Sequence, residues 1–384
     1  MTTDVRLVEP TGTSWAEWSP HVSTYTVGIE EEAMLLVPDE WKLSQTCEQV
    51  LARLPERVAR QATAETHGSA LEMATRPHTT IAGAAGELAE LRGALAAELH
   101  RQGLSVASAG THPFAVWSDI VVSAGERYQF LYGSLRELAR REPTHALHVH
   151  VGVPSPDQAI RVANRMRAHL PLLLALSGSS PFWQGRDSGL ASARTPLFQA
   201  FPRVGIPRAF RDYEHWVDTV DTMVRCDAFP DPSFLWWDVR LQPRFGTVEV
   251  RIMDAQMTTS YTASLTALVQ CLVRLECEEG WASEALLDLP EALDENRFLA
   301  ARDGMQASFL DPELEMAVPV RTIVKEVLAA CVPHAQDLGC VEELSRIQLM
   351  ADLPGATWQR HRASAGGLRG LVADLADAYV DFRD

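Results

Sequence analysis

Residues 24–37 read Thr-Tyr-Thr-Val-Gly-Ile-Glu-Glu-Glu-Ala-Met-Leu-Leu-Val, an apolar alternation interrupted by three consecutive carboxylates. Tyr25, Val27 and Ile29 at every second place, and the apolar end from 34 to 37, predict a long strand. On an extended chain Glu30 and Glu32 share one face, about 7 Å apart at roughly 3.3 Å per residue, and Glu31 points the other way. Like charges at that spacing repel, so the strand needs either a solvated edge or cations beside it. Two further acids lie in apolar strands: Glu72 among Ala70, Leu71, Met73 and Ala74, and Glu249 between Val248 and Val250, with Arg251 two places along. Each alone reads equally well as a structural acid held by a buried arginine. Four such carboxylates at sheet-facing positions point to one site built by the sheet, and oxygen-rich, thiol-free donors suit Mg2+ or Mn2+ far better than zinc.

Outward from this strand, the pattern predicts a short helix over 44–53 and a hairpin flanking His67-Gly68. Thr79 or Thr80 then caps a long helix that stops at Gly103. A strand at 104–109 and a helix at 127–141 follow. Alternation over 145–153 predicts another strand, ended by Pro154, and 157–176 continues as one helix. Residues 177–203 read as loop, and about 207–225 as helix. Two strands, 236–242 and 247–255, join through a turn at Pro243-Arg244-Phe245-Gly246. From 258 onward the pattern is almost wholly helical. These spacings predict an α+β fold in one domain spanning 1–384: an antiparallel sheet with helices packed on its outer side and an open polar face. The sheet-forming core covers about 20–258 and a mainly helical part about 259–384.

Within the second half, His148 and His150 share a strand face, with His145 on the other. A His-x-His pair is a known zinc or iron arrangement, which keeps a metal-dependent hydrolase in view, although no Cys or third His sits at a supporting distance. The loop 177–194 gathers small hydroxyl residues and glycines around Arg186 and Arg194. Glycine lets backbone approach a ligand, and arginine forks match carboxylate or phosphate oxygens. Arg240, Arg244 and Arg251 add cations on the late strands, where Arg240 and Arg244 equally balance the surplus acids.

The net charge of −17 over 384 residues disfavours phosphate backbones and anionic lipid headgroups, and no basic patch offsets it, so neither nucleic acid nor a membrane is an expected partner. Lys42 and Lys325 are the only lysines, and no Gly-Lys pair for a Walker-type loop exists. Any bound anion is therefore left to arginine or backbone. The six cysteines form no Cys-x-x-Cys pair, and residues 1–20 lack a basic start and apolar run, so a cytoplasmic protein without signal peptide is expected. Closed two-fold symmetry is common, which makes a homodimer the expected assembly.

Four stretches together resemble the type 2 glutamate–cysteine ligase family, also called the carboxylate–amine ligase family, within the glutamine synthetase-like superfamily. They are Thr26-Val-Gly-Ile-Glu-Glu-Glu32, His148-Val-His-Val-Gly152, Ser180-Pro-Phe-Trp-Gln-Gly-Arg-Asp187 and Gly246-Thr-Val-Glu-Val-Arg-Ile-Met-Asp254. The resemblance implies a bowl-like antiparallel sheet with ATP and Mg2+ (or Mn2+) at its floor. It implies that Glu30, Glu32, Glu72, His150 and Glu249 hold metal and phosphates, with His148 as the second histidine of the pair. Arg251 resembles a phosphate-binding arginine, and Glu249 and Arg251 are the expected catalytic pair. Arg186, Arg194 and Arg240 are further expected nucleotide contacts. Small-molecule carboxylate and amine substrates follow, with glutamate as the acid and cysteine or another amino compound as the amine. Two other functions remain open at this point: the hydrolase above, and a non-catalytic protein that binds ATP or an amino acid.

Overall fold

The computed structural model describes residues 13–19, 23–141 and 143–380. The leader reading of residues 1–20 and the start of the sheet core at residue 20 fall largely outside them. Strands β1 (Val27–Val37), β2 (Lys42–Leu43), β3 (Ala62–Ala64), β4 (Ala70–Ala74), β5 (Ser105–Ala107) and β6 (Ala146–Gly152) supply most of the main sheet. A small hairpin, β7 (Phe182–Trp183) with β8 (Arg186–Asp187), and a parallel pair, β9 (Val204–Gly205) with β10 (Trp236–Trp237), lie outside it. Strands β11 (Val239–Gln242) and β12 (Thr247–Asp254) complete it in the order β11-β12-β6-β1-β4-β3, with β2 and β5 pairing the far part of β1. Every pairing in this eight-stranded sheet is antiparallel, as the alternation predicts.

The two-residue period sorts the strands onto two faces. Val27, Ile29 and Leu35 of β1, Leu71 and Met73 of β4, Leu147, Val149 and Val151 of β6, and Val248 and Val250 of β12 enter the main core. There they meet the helices Ile81–Arg101, Pro156–Met166 and Thr259–Glu278. Burying each such side chain contributes about 1.5–3 kcal/mol, so the period itself fixes which face is dry. Glu31 falls on this face too. It is fully buried and meets Arg92 of the 81–101 helix, whose Nε donates to Oε2 at 2.7 Å and Nη2 to Oε1 at 2.5 Å. The same guanidinium donates to the carbonyls of Gln256, Met257 and Tyr379, and Thr262 Oγ1 donates to Glu31 at 3.0 Å.

The opposite face is not open along its whole length, contrary to the expectation. It is polar at Gly28, Glu30 and Glu32, but Met34 and Leu36 further along are buried in a second apolar cluster with Phe182, Leu371, Val372 and Leu375. The C-terminal segment Gly355–Val380, kinked at Gly367, covers that end. Local expectations also differ, among them the 236–242 strand, which splits into β10 and β11, and the 177–203 loop, which holds β7, β8 and a helix at Arg194–Phe198. The 157–176 stretch breaks into Pro156–Met166 and Leu170–Ser177, because Pro171 has no N–H to donate and its ring crowds the carbonyl one turn back. The 207–225 stretch is helical only over Tyr213–Arg225, where Asp212 caps the first turn by accepting from His215 N at 2.7 Å. A hairpin of β13 (Ser308–Asp311) and β14 (Met316–Pro319) interrupts the helical C-terminal part. The β11–β12 turn at 243–246 is as predicted, with Gly246 supplying the left-handed position at φ 65°.

Candidate active site

Register builds the site row by row across the polar face. Arg240 of β11 is opposite Glu249 of β12, which is opposite His150 of β6. One step along, His148 is opposite Glu30 of β1. Further on, Glu32 is opposite Glu72 of β4, and Glu72 opposite Thr63 of β3. The four carboxylates singled out in the sequence therefore converge, and with them both histidines. His148 Nδ1 is 3.1 Å from Glu30 Oε2 and His150 Nε2 is 3.2 Å from Glu30 Oε1. Glu30, Glu32, Glu72, His148 and Arg251 line one cavity of about 540 Å³, together with Arg194 and Arg240.

Two donor groups at this cavity have the closeness a cation requires, although Glu249, fully buried against Arg240 and Arg251, and His150 do not themselves line it. Glu30, His148 and Glu249 each offer one atom within 4.8 Å of the others, and so do Glu32, Glu72 and His148. His148 belongs to both groups, whereas His150 turns its Nδ1 to Thr247 Oγ1 at 3.0 Å. Burial and the neighbouring Arg251 charge push His148 down to about 4, which leaves its imidazole neutral and able to ligate near neutral pH. Carboxylate oxygens with one imidazole and no thiolate form the donor set of Mg2+ or Mn2+.

The electrostatics divide the acids into two kinds. Glu249 is fully buried, which alone would raise its carboxyl, but Arg240 and Arg251 hold it well below the usual range. Arg240 Nε donates to it at 2.5 Å, Gln242 Nε2 at 2.7 Å, and Arg251 Nη1 also donates to it. Glu30 is likewise held low: burial opposes ionisation, but the charge of His150 and the hydrogen bond with His148 prevail. Glu32 and Glu72 have no arginine in ion-pair contact among the described residues, and the Arg194 and Arg251 charges and the Ala146 N–H that favour their ionised forms do not prevail. Burial and the nearby Glu65 push Glu32 up to about 8, and burial with the charges of Glu30 and Glu65 pushes Glu72 well up. Carboxylates that resist ionising beside one another are a place where an added cation is stabilising. On the cationic side, Arg194 Nε and Arg251 Nε are buried without a hydrogen-bond partner among the described residues, although both side chains line the cavity. That is the complementary feature for phosphate oxygens.

The loop 177–194 serves a different purpose from the one expected of it. Its serines do not present donors to a ligand: Ser179 N, Ser180 Oγ and Ser192 Oγ all donate to the buried carboxylate of Asp254 at 2.6–2.8 Å. Arg194 donates to the carbonyls of Ile252 and Arg251 at 3.0 and 3.2 Å, where β12 shifts register against β6. It thus ties the loop to the strand that carries Glu249 and Arg251. Arg186 is exposed on β8 and does not line the cavity.

Several lining residues escaped the sequence reading. Glu65 lies beyond the end of β3, where alternation from Thr63 marks it as sheet-facing, but its surroundings carry no apolar contrast. Gln242 follows Arg240 by two places and shares its face, a legible signal in retrospect. Arg127 and Tyr128 come from the Glu126–Leu135 helix, in which nothing distinguishes them from solvated polar residues.

An antiparallel sheet whose polar face gathers acids, a neutral imidazole and arginines into one cavity is suited to hold divalent cations beside phosphate oxygens. The chain belongs to glutamate–cysteine ligase family 2, whose family model matches residues 26–374. It is 42% identical over 322 residues to the "Putative glutamate--cysteine ligase 2-1" of Rubrobacter xylanophilus, covering 84% of this chain and 85% of that one. It is 38% identical over 329 residues to the "Putative glutamate--cysteine ligase 2" of Sorangium cellulosum, covering 84% and 87%. Among solved structures, the fold is similar to that of a glutamate–cysteine ligase from Francisella tularensis in complex with AMP. The TM-score is 0.69 at 14% identity, covering 93% of this chain and 89% of that one. No helix among the described residues is long and apolar enough to cross a membrane.

Proposed function

We propose that this chain activates a carboxylate with ATP as an acyl phosphate and joins it to an amine, with glutamate as the acid and cysteine or another amino compound as the acceptor. The convergence of Glu30, Glu32, Glu72 and Glu249 on His148, beside Arg251 and Arg240, carries this reading. Joining a carboxylate to an amine is uphill in water, so the carboxylate oxygen first attacks the γ-phosphorus of ATP and ADP leaves. The amine then attacks the acyl carbon and expels phosphate. Glu30 and Glu249 would hold one Mg2+ or Mn2+ ion and Glu32 and Glu72 a second, with the single lone pair of neutral His148 serving one of the two; bound there, the ions would neutralise β- and γ-phosphate charge. Arg251, fixed against Glu249, stabilises charge on the transferred phosphoryl group, and Arg240 sets the position of Glu249. The AMP-bound Francisella ligase and the names of the relatives support ATP use and glutamate as the acid.

The hydrolase reading has less support, since each donor group contains one histidine and two carboxylates rather than a histidine-rich set. The experiment is ADP release by folded protein with Mg2+, ATP, glutamate and a panel of amines, cysteine included. Turnover stimulated by one amine is expected. ATP-independent activity, or no amine-stimulated ADP release from any acid tried, overturns the reading.

A further inference from the structure

A second cavity, of about 370 Å³, shares no lining residue with the first. It lies among the end of the Pro156–Met166 helix, the segment 206–209 and the start of the Pro290–Asp303 helix. Its lining includes Arg167, Arg208, Asp288 and Asp294, with Ile206 and Leu293 as apolar wall.

Arg167 is the unusual member. Only 3% of its surface is exposed, yet it forms no ion pair among the described residues. Among the described residues its one hydrogen bond is a long one, Nη2 to the Leu287 carbonyl at 3.3 Å, and Nε has no partner. A buried guanidinium left this way costs free energy that an anion in the cavity would recover. Burial lowers its pKa, and the charges of Asp288 and Asp294 only partly oppose that. No side chain caps the N-terminus of the Pro290–Asp303 helix, which adds a favourable field for a carboxylate. Asp288 and Asp294 are exposed and make no side-chain hydrogen bond or ion pair among the described residues.

The lining charges decide the ligand class. A polyanion would meet two carboxylates, and a metal ion two guanidiniums. Two positive and two negative groups around an apolar wall match a zwitterion. We infer that this cavity binds a free α-amino acid, with its carboxylate on Arg167 and Arg208, its ammonium on Asp288 and Asp294, and its side chain against Ile206 and Leu293. This site is separate from the ligase cavity and does not depend on the reading of that cavity's substrates.

The test is hydrogen exchange of the full chain without nucleotide, in the presence of L-valine, L-leucine or L-methionine at millimolar concentration. Isovalerate and isobutylamine serve as half-ligand controls. At least one amino acid is expected to slow exchange at least threefold in peptides covering 206–209 and 287–294, with no change over 28–32. The half-ligands should have no such effect. Asp288→Asn with Asp294→Asn, both at exposed positions, should remove the protection while the circular dichroism spectrum and the exchange of peptides outside the cavity stay as in the wild type. Protection by isovalerate equal to that by valine would reduce the cavity to a plain anion site and overturn the inference. Absence of protection by all three amino acids, or its persistence in the double variant, overturns it as well. Arg167→Gln should remove the protection too, but the double variant decides the matter if that protein does not fold.

Discussion

Glu32 and Glu72 stand directly opposite each other across β1 and β4, two carboxylates with no arginine or lysine within ion-pair distance among the described residues. Glu32 accepts one hydrogen bond, from Ala146 N at 2.8 Å, and Glu72 one long one from Thr63. Directly opposed like charges destabilise a sheet pair, by up to about 1 kcal/mol. A divalent ion reverses that sign. Without metal, Glu72→Gln should therefore raise the urea midpoint, because a neutral amide replaces a repelled acid. With Mg2+ or Mn2+ the order should invert, the wild type gaining about 2.7 kcal/mol at a hundredfold excess over Kd and the variant markedly less. Equal metal-induced shifts in the two proteins would remove Glu72 from the cation site.

Glu249 differs in being already balanced. Its carboxylate holds Arg240, Arg251 and Gln242, all on the same sheet face. Glu249→Gln leaves two buried guanidiniums facing a neutral amide, and breaking such a pair costs about 3–5 kcal/mol. The expected outcome is twofold: ligase turnover falls at least a hundredfold, and the denaturant midpoint also drops. Circular dichroism at low temperature, where the variant remains folded, separates the two effects. Wild-type turnover in the variant would exclude Glu249 from the chemistry.

How much of this was legible beforehand follows from the range of each signal. The face assignment of Glu30, Glu72 and Glu249 was readable because a strand's two-residue period is local and their neighbours are apolar. The role of Glu31 was half readable. Its outward direction followed from the same period, but Arg92 lies 61 residues away and nothing local pairs them. The loop 177–194 misled for a related reason. Serines and glycines around arginine look like an anion cradle, and only the tertiary fold shows that Asp254 has already taken the hydroxyl donors. Glu65 was invisible because acids near a loop are commonplace, and what marks it is the company of Glu32 and Glu72.

The two arginines of that loop should consequently behave differently. Arg186 is exposed and lies outside the cavity, so Arg186→Ala should leave the KM for ATP within twofold of wild type. Arg194 is buried and holds two β12 carbonyls next to Arg251. Arg194→Met should reduce kcat at least tenfold and lower thermal stability, since it frees the backbone that positions Arg251. Steady-state kinetics with ATP varied checks both, and a large KM increase for Arg186→Ala would restore that residue to the nucleotide site.

Acid stability should depend on a group far from the site. Glu87 accepts from His78 Nε2 at 2.7 Å, from Arg76 N at 2.9 Å and from Gln61 Nε2 at 3.1 Å. Burial alone would push its carboxyl up, but these bonds outweigh burial and hold it down at about 2. A carboxyl with a folded pKa below its unfolded value of about 4.5 contributes stability that is fully present above that value and is lost as pH falls toward 2. Thermal melts of wild type and Glu87→Gln should therefore differ most above about pH 4.5 and converge between there and pH 2. A gap that is constant with pH would mean that the side chain contributes packing and not charge.

Adjacent residues of β1 supply the sharpest contrast. Glu30 and Glu31 are neighbours in sequence, but the pleat sends one into the cavity and the other into the helix-side core. Glu31 satisfies a fully buried guanidinium that also binds carbonyls of residues 256, 257 and 379, so it ties the sheet to the segment after β12 and to the C-terminal helix. Glu31→Gln should cost about 3–5 kcal/mol because Arg92 keeps its charge and loses its counterion. In protein kept folded at low temperature, the KM for ATP should change little, since Glu31 does not line the cavity. Glu30→Gln should do the reverse: a small change in the denaturation midpoint, with loss of metal-dependent stabilisation and of turnover, because the half-buried Glu30 meets two imidazoles and, among the described residues, no arginine within 4 Å. Urea titrations with and without Mg2+, run on both variants, distinguish the two roles. If Glu31→Gln abolished metal-dependent stabilisation while Glu30→Gln retained it, the assignment of faces on β1 would be wrong and the site would have to be sought on the other side of the sheet.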